Sequence, residues 1–276
     1  MSTGKVWFVG AGPGAADLLT LRAVRVIAAA DVVIWAASLV MPEAVAHAHD
    51  DAEVLDSSAM TLEQVAAVYD RAAAEGLAVA RVHSGDPSLW GAIGEQIEAC
   101  DARGLAWEIV PGVSSLGAAA AVLGRELTVP EVAQSVILTR LATATPMPGN
   151  EDLRAFAAHG TTMALFLSAK RGRRLQAELL AGGYAPGTPC AVVYRATWPD
   201  QAVWTCRLDA LAETLRAAGV VRHTLVLVGP ALTAGGTRSH LYAPDFHHAS
   251  RLPARAGPDH ARTGSAHDGT RSAEAT

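Results

Sequence analysis

The sequence predicts an α/β fold built on a mostly parallel sheet, and three observations carry that reading. Short β-branched runs alternate with Ala- and Leu-rich helical stretches from Val6 to Val228. Three of the first strand-like runs end in Gly/Pro loops. A second round of the same alternation follows the first. Strand–helix alternation is the signature of crossover-connected parallel strands, and open sheets of this kind hold ligands beyond the carboxyl ends of their strands.

Taken in order, Val6–Val9 reads as a strand cut short by the glycine loop at Gly10, and Leu21–Ala30 reads as a helix. Val32–Trp35 is short and β-branched, so it is expected as a second strand. Leu62–Ala74 is expected as a helix with Thr61 as its N-cap. Ala78–Val82 is a further strand and runs into Ser84-Gly85-Asp86-Pro87. Gly94–Arg103 is expected as a helix, and Trp107–Val110 as a strand that ends at Pro111-Gly112.

The second round opens with Ser135–Leu138 as a strand and Glu151–Ala158 as a helix. Thr162–Leu167 is then a strand and Arg173–Ala181 a helix. Cys190–Tyr194 and Ala202–Arg207 are strands, Leu208–Ala218 a helix and Thr224–Val228 a strand. The boundary between the two rounds falls near residues 113–134. The expected division is an amino-terminal α/β domain over 1–115, a carboxyl-terminal α/β domain over 116–245 and a tail over 246–276. From about Arg251 the chain is Ala, Arg, Gly, Ser, Asp and His, with Leu252 its one large apolar residue. Such a segment cannot bury a core and is expected to be unstructured. No short-period repeat is visible, which argues against a solenoid.

Composition narrows the function. The formal net charge is −5 and no long basic stretch appears, so nucleic acid is not expected as a partner. Cys100, Cys190 and Cys206 lie far apart in sequence without CxxC spacing, which fits neither a zinc site nor a disulfide framework and points to a reducing cytoplasm. No apolar run reaches the ~18–20 residues of a membrane span, and Met1–Lys5 does not open a signal peptide. No metal is expected: the His47/His49 and His247/His248 pairs lack a supporting carboxylate or cysteine cluster.

Gly10-Ala11-Gly12-Pro13-Gly14-Ala15 follows the first strand and fits a degenerate dinucleotide-binding pattern. That pattern also requires an acid at the end of the second strand to hold the ribose. Here the strand runs out through Ala36-Ala37-Ser38, and Asp31 stands at its wrong end. Pro13 removes an N–H that a pyrophosphate would use. The loop alone leaves open a cofactor other than a dinucleotide or a plain strand-to-helix turn.

Downstream, Ser84-Gly85-Asp86-Pro87 offers small residues that admit a ligand to the backbone, and an acid that either pairs with an ammonium or caps a helix after Pro87. Pro111-Gly112-Val113-Ser114-Ser115 adds two hydroxyls at a third strand end. In this order, each after a strand, GAGPG, SGDP and PGVSS resemble the tetrapyrrole (corrin/porphyrin) methyltransferase family. Val33–Val40, Arg81–Pro87, Val136–Arg140, Ala164–Ser168 and Val193–Asp200 narrow the resemblance to its branch that methylates C11 of a corrin precursor. The resemblance covers roughly Lys5 to Leu232.

The resemblance implies two α/β domains with mostly parallel or mixed sheets, S-adenosylmethionine in the cleft between them, S-adenosylhomocysteine as product, and a cytoplasmic homodimer acting on a carboxylate-rich tetrapyrrole. It carries cofactor contacts to Pro13, Ser84, Gly85, Asp86, Leu89, Ser114, Ser115, Leu167, Ala196 and Thr224. The acid that follows the second strand in the uroporphyrinogen branch is absent, so no catalytic base is assigned. Arginine suits bidentate carboxylate recognition, which makes Arg140 and Arg195 substrate candidates. The Lys170–Arg174 run reads more simply as a solvated helix start. His83 reads as a ligand contact or a hydrogen-bonded structural residue, and Trp90 and Trp198 as walls or substrate platforms. The competing functions are methylation of another ring carbon, a nicotinamide-dependent oxidoreductase disfavoured by the missing ribose acid, and a tetrapyrrole carrier without catalysis.

Overall fold

The computed structural model describes residues 4–143 and 145–235, and beyond them 239, 240, 243, 246 and 247. Met1–Thr237 forms one unit and holds both sheets. Arg238–Thr276 forms a second, in which the described residues make two turn hydrogen bonds, Ala243 to His240 and Phe246 to Ala243. The expected unstructured tail lies, apart from Phe246 and His247, outside the described residues.

The first sheet is built from β1 (Lys5–Gly10), β2 (Val32–Trp35), β3 (Glu53–Asp56), β4 (Ala78–His83) and β5 (Ala106–Val110), in the order β3-β2-β4-β1-β5. Every pairing is parallel. The connecting helices are α1 (Leu21–Ala28), α2 (Pro42–Val45), α3 (Leu62–Glu75) and α4 (Ile93–Asp101). Strand alternation sorts the side chains to two faces. Val9, Val33, Ala80 and Val82 meet Ala23 and Ile27 of α1 and Ala44 and Val45 of α2. Val6, Phe8, Ile34 and Val79 meet Val65, Tyr69 and Ala72 of α3 and Cys100 of α4. Thr61 caps α3 as expected, and Gln64 completes a capping box by accepting from the Thr61 N–H.

Helix α5 (Ser115–Leu123) leads from β5 into the second sheet, which comprises β6 (Val136–Arg140), β7 (Thr162–Phe166), β8 (Pro189–Tyr194), β9 (Ala202–Arg207) and β10 (Thr224–Val228), in the order β6-β7-β10-β8-β9. Helices α6 (Leu153–Ala157), α7 (Gly172–Ala181) and α8 (Leu211–Ala218) cover one face through Leu153, Leu175, Leu179, Leu211 and Leu215. Ala118 and Ala119 of α5 pack on the other, against Ala164, Ala191 and Leu227. This sheet is mixed. Only β6 and β7 are parallel, and β10 runs antiparallel to both its neighbours. β8 and β9 form a hairpin, because the Arg195–Gln201 link is too short for the crossover that a parallel pair needs.

Several expected boundaries shift. β3 and α2 are additional elements, helix α4 starts at Ile93, and a short 3-10 turn over Leu208–Ala210 precedes α8. Among the described residues, no helix is long and apolar enough to cross a membrane.

Candidate active site at the strand ends

Three loops of the first sheet interlock. Beyond β1, Ala11 donates to the His83 carbonyl at 2.8 Å, and Gly12 and Gly85 exchange hydrogen bonds at 3.2 and 2.7 Å. A Cβ on Gly10 would lie 2.5 Å from the Gly112 Cα and 2.7 Å from the Gly85 carbonyl oxygen. The three strand-end turns therefore pack backbone to backbone, which only glycine allows. Asp86 fastens them: one oxygen accepts the Gly112 N–H at 2.9 Å, and the other accepts the Ser88 N–H at 2.8 Å and the Ser88 hydroxyl. Burial pushes the Asp86 carboxyl up, but the donors from Ser88 and Gly112 outweigh it and hold the group below its ordinary value. The carboxylate caps a turn; no helix begins at Pro87.

Ser114 caps α5 by accepting the Leu116 N–H at 3.2 Å. Ser84 is exposed, while Gly85 and Leu89 are buried and half-buried. His83 is half-buried beneath its loop, and its buried Nε2 lacks a partner. Its surroundings, burial first and then the Arg81 charge, hold its pKa down at about 3, so the ring is neutral. The backbone that follows β2 is held from β3. Asp56 Oδ1 accepts the Ala37 N–H at 3.0 Å together with the Ser58 N–H and hydroxyl. The sequence pattern missed this because β3 is exposed and flanked by acids, which hides its strand character.

The second sheet closes on these loops through the β8–β9 connection. Trp198 Nε1 donates to the Pro13 carbonyl at 2.8 Å, and the Thr197 hydroxyl accepts the Ala15 N–H at 3.0 Å. His223 Nε2 meets the Ser38 carbonyl at 2.8 Å, and its ring stacks on Trp198 with centroids 5.5 Å apart. Burial, with help from the Arg195 guanidinium, lowers the His223 pKa. Arg195 Nε contacts His223 Nδ1 at 3.3 Å, its Nη1 pairs with Asp200 at 2.5 Å, and it lies over the Trp198 ring. The Nδ1 must therefore accept, and Nε2–H is the donor to Ser38. Across from them, Trp90 of the first half packs on Phe166 at the end of β7, 4.5 Å between centroids. Trp198 is thus a wall between the halves. It also lines a cavity of about 310 Å³ with Ala15, Met41, Glu43 and Thr197.

Backbone strain gathers at the same place. Among the described residues seven non-glycine residues have positive φ, and Trp90, Ala92, Leu167, Arg195, Thr197 and His223 are six of them. Such conformations cost about 1–3 kcal/mol each and concentrate at functional sites. Leu167, with φ 53°, also leaves its side chain 68% exposed. Ala196 is buried, and Thr224 begins β10 opposite Tyr194.

Arg140 ends β6 and donates to the Thr145 and Pro146 carbonyls at 3.1 and 2.8 Å. Lys170, Arg171, Arg173 and Arg174 are exposed around the start of α7, with Arg174 donating to the Ala142 carbonyl. Among the described residues no cluster of three or more His, Cys, Asp or Glu forms a metal site. His47 and His49 are exposed, and His248 lies outside the described residues.

Residues 5–212 match the family of tetrapyrrole (corrin/porphyrin) methylases. A precorrin-4 C(11)-methyltransferase of Rhodococcus erythropolis is 45% identical over 240 residues, which cover 86% of this chain and 96% of the relative. The solved structure of a cobalamin biosynthetic enzyme, cobalt precorrin-4 methyltransferase, superposes with a TM-score of 0.81 at 40% identity, covering 83% of this chain and 96% of the other. A uroporphyrin-III C-methyl transferase from Thermus thermophilus, complexed with S-adenosyl homocysteine, gives 0.70 at 29% identity, with 83% and 94% covered.

Proposed function

The chain belongs to the tetrapyrrole (corrin/porphyrin) methylases, and on that premise we propose that it methylates C11 of precorrin-4, giving precorrin-5 in cobalamin biosynthesis, with S-adenosylmethionine as donor and S-adenosylhomocysteine as second product. The observation that carries this reading is the near full-length similarity to a precorrin-4 C(11)-methyltransferase. The missing acid after β2 and the Ala196–Asp200 run set the chain apart from the uroporphyrinogen branch. A nicotinamide dinucleotide is disfavoured as well, since no acid ends β2 to hold its ribose.

The residues at the strand ends fit the donor. Leu167 offers an apolar side chain to solvent on a strained backbone, Ser84 an exposed hydroxyl, and Gly85 a backbone that lacks a side chain. We assign Pro13, Ser84, Gly85, Asp86, Leu89, Ser114, Ser115, Leu167, Ala196 and Thr224 to its binding. When bound, the sulfonium supplies an already activated methyl group. The chain's own task is orientation, which can be worth roughly 7–11 kcal/mol. Asp86 holds the second and third loops in register, and Thr197 and Trp198 hold the first. Arg140 and Arg195 are assigned to substrate carboxylates, each keeping N–H donors beyond those used internally. No side chain is assigned as base; a bound water or a substrate carboxylate takes the released proton.

The functional assembly is proposed as a cytoplasmic homodimer of two α/β domains, 1–115 and 116–245. A second reading, cobalt-precorrin-4 as substrate, is supported by the likeness to the cobalt precorrin-4 enzyme. Incubation with methyl-labelled S-adenosylmethionine and either precorrin-4 or its cobalt form, followed by NMR, tests both. Label at C11 of the metal-free ring is the expected outcome. Label at C11 only in the cobalt form selects the second reading, and label at another carbon overturns the assignment.

A further inference from the structure

Two of the three cysteines face each other across the β8–β9 hairpin. Cys190 on β8 pairs directly with Cys206 on β9. Leu208 donates to the Thr188 carbonyl at 2.8 Å, so Thr188 and Leu208 form a hydrogen-bonded pair. Two residues inward, Cys190 and Cys206 occupy the next such pair, where opposed Cα atoms stand about 5.5 Å apart. That separation is the centre of the range a disulfide spans. Both side chains point to the face covered by α7 and α8, and both belong to its cluster. In the structure both are free thiols.

The two sulfurs differ in reactivity. Cys190 is buried, while Cys206 is half-buried on the edge strand of its sheet. Each sulfur acts on the other, and their pairing pushes the Cys190 thiol up and draws the Cys206 thiol down to about 6. The Cys190 thiol donates to the Thr188 carbonyl at 3.7 Å. A partly exposed thiolate beside a second thiol is the arrangement of a peroxide-reactive cysteine with its resolving partner.

We propose that Cys206 is a thiol-oxidation site, resolved by Cys190 into a cross-strand disulfide by peroxide. The Cys206 thiolate attacks one peroxide oxygen; an S–O bond forms, the O–O bond breaks, and the departing hydroxide takes a proton to become water. The Cys190 sulfur then attacks the Cys206 sulfenic sulfur. An S–S bond forms, the S–O bond breaks, and the hydroxyl leaves as water with the Cys190 proton. Two thiols lose two electrons to one hydrogen peroxide and two waters result. The hairpin stapled in this way carries Thr197 and Trp198 at its tip.

The test is to treat the full chain with hydrogen peroxide, denature it in N-ethylmaleimide and map the peptides by mass spectrometry. The expected result is a chain that has lost two hydrogens, labels only at Cys100 and yields a Cys190–Cys206 linked peptide. Its thermal midpoint rises by at least a few degrees, because the closed hairpin restricts the unfolded chain. In Cys190→Ser, dimedone traps a sulfenic acid at Cys206; in Cys206→Ser, neither linkage nor sulfenic acid forms. A disulfide that includes Cys100, a linkage between chains, or three free thiols after treatment overturns the proposal. So does a sulfenic acid that forms at Cys190 in place of Cys206.

Discussion

Adding one methyl group at Gly14 tests whether Trp198 is the clamp that the geometry makes it. A Cβ built there lies 2.5 Å from Trp198 Nε1 and 3.0 Å from the Thr197 hydroxyl. Ordinary contact needs about 3.5 Å or more, so in Gly14→Ala the indole must retreat by about 1 Å. The Nε1–Pro13 bond, now 2.8 Å, then passes the ~3.5 Å beyond which no hydrogen bond remains. Losing it and leaving the buried Pro13 carbonyl unpaired costs about 1–3 kcal/mol, within the range of overpacking itself. At roughly 2–4 °C per kcal/mol, the melting temperature falls by about 2–12 °C. Trp198→Ala alone costs about 2–3 kcal/mol by the same lost bond and packing. In the double variant the new methyl enters space the indole has left. The double variant is therefore more stable than the sum of the singles predicts, by about 1–3 kcal/mol. Calorimetry on the four proteins measures this coupling. Strictly additive losses would refute the clamp.

Two further outcomes follow from strain and titration. Leu167→Gly relieves a positive φ, so it raises stability by about 1 kcal/mol, while calorimetric titration with S-adenosylhomocysteine shows weaker binding; a variant no more stable than the parent would mean the φ is not strained. His83 titrates at about 3 when folded and near 6.5 when unfolded. The unfolded chain therefore takes up a proton that the folded chain refuses between those values. Stability from this group is complete above pH 6.5 and is lost as pH falls, at about 1.4 kcal/mol per pH unit. In urea titrations at pH 6 and pH 4, His83→Phe removes that slope, and an unchanged slope would place the titration elsewhere.

The parts that were legible in the sequence are those whose causes are local. Gly10, Gly85 and Gly112 follow β-branched strands, and a turn that packs backbone on backbone needs glycine whatever lies elsewhere. Thr61 stands next to the helix it caps. β3 stayed hidden because a four-residue edge strand with acids at both ends buries little and shows no alternation. Asp86 was legible as a strand-end acid but not as a tie between two loops, since its partner Gly112 lies 26 residues on. The clamp was least legible of all. Arg195 and Thr197 adopt a handedness that local propensity disfavours, at φ 46° and 70°; His223, 28 residues on, holds Arg195, and Ala15 of the first half holds Thr197. The Ala196–Pro199 run was noticeable as a motif, but nothing in it pointed to Pro13.

The separation of those partners also sets a timetable for the newly made chain. Trp198 meets Pro13 across 185 residues, and Thr197 meets Ala15 across 182. At about 5–20 residues per second, synthesis delivers the indole roughly 10–40 s after the loop it closes. The parallel sheet and its three glycine turns can fold on the ribosome in that interval, but their outer wall is not yet built. A nascent chain thus holds an open shelf and gains its second wall only when β8, β9 and the link between them have emerged.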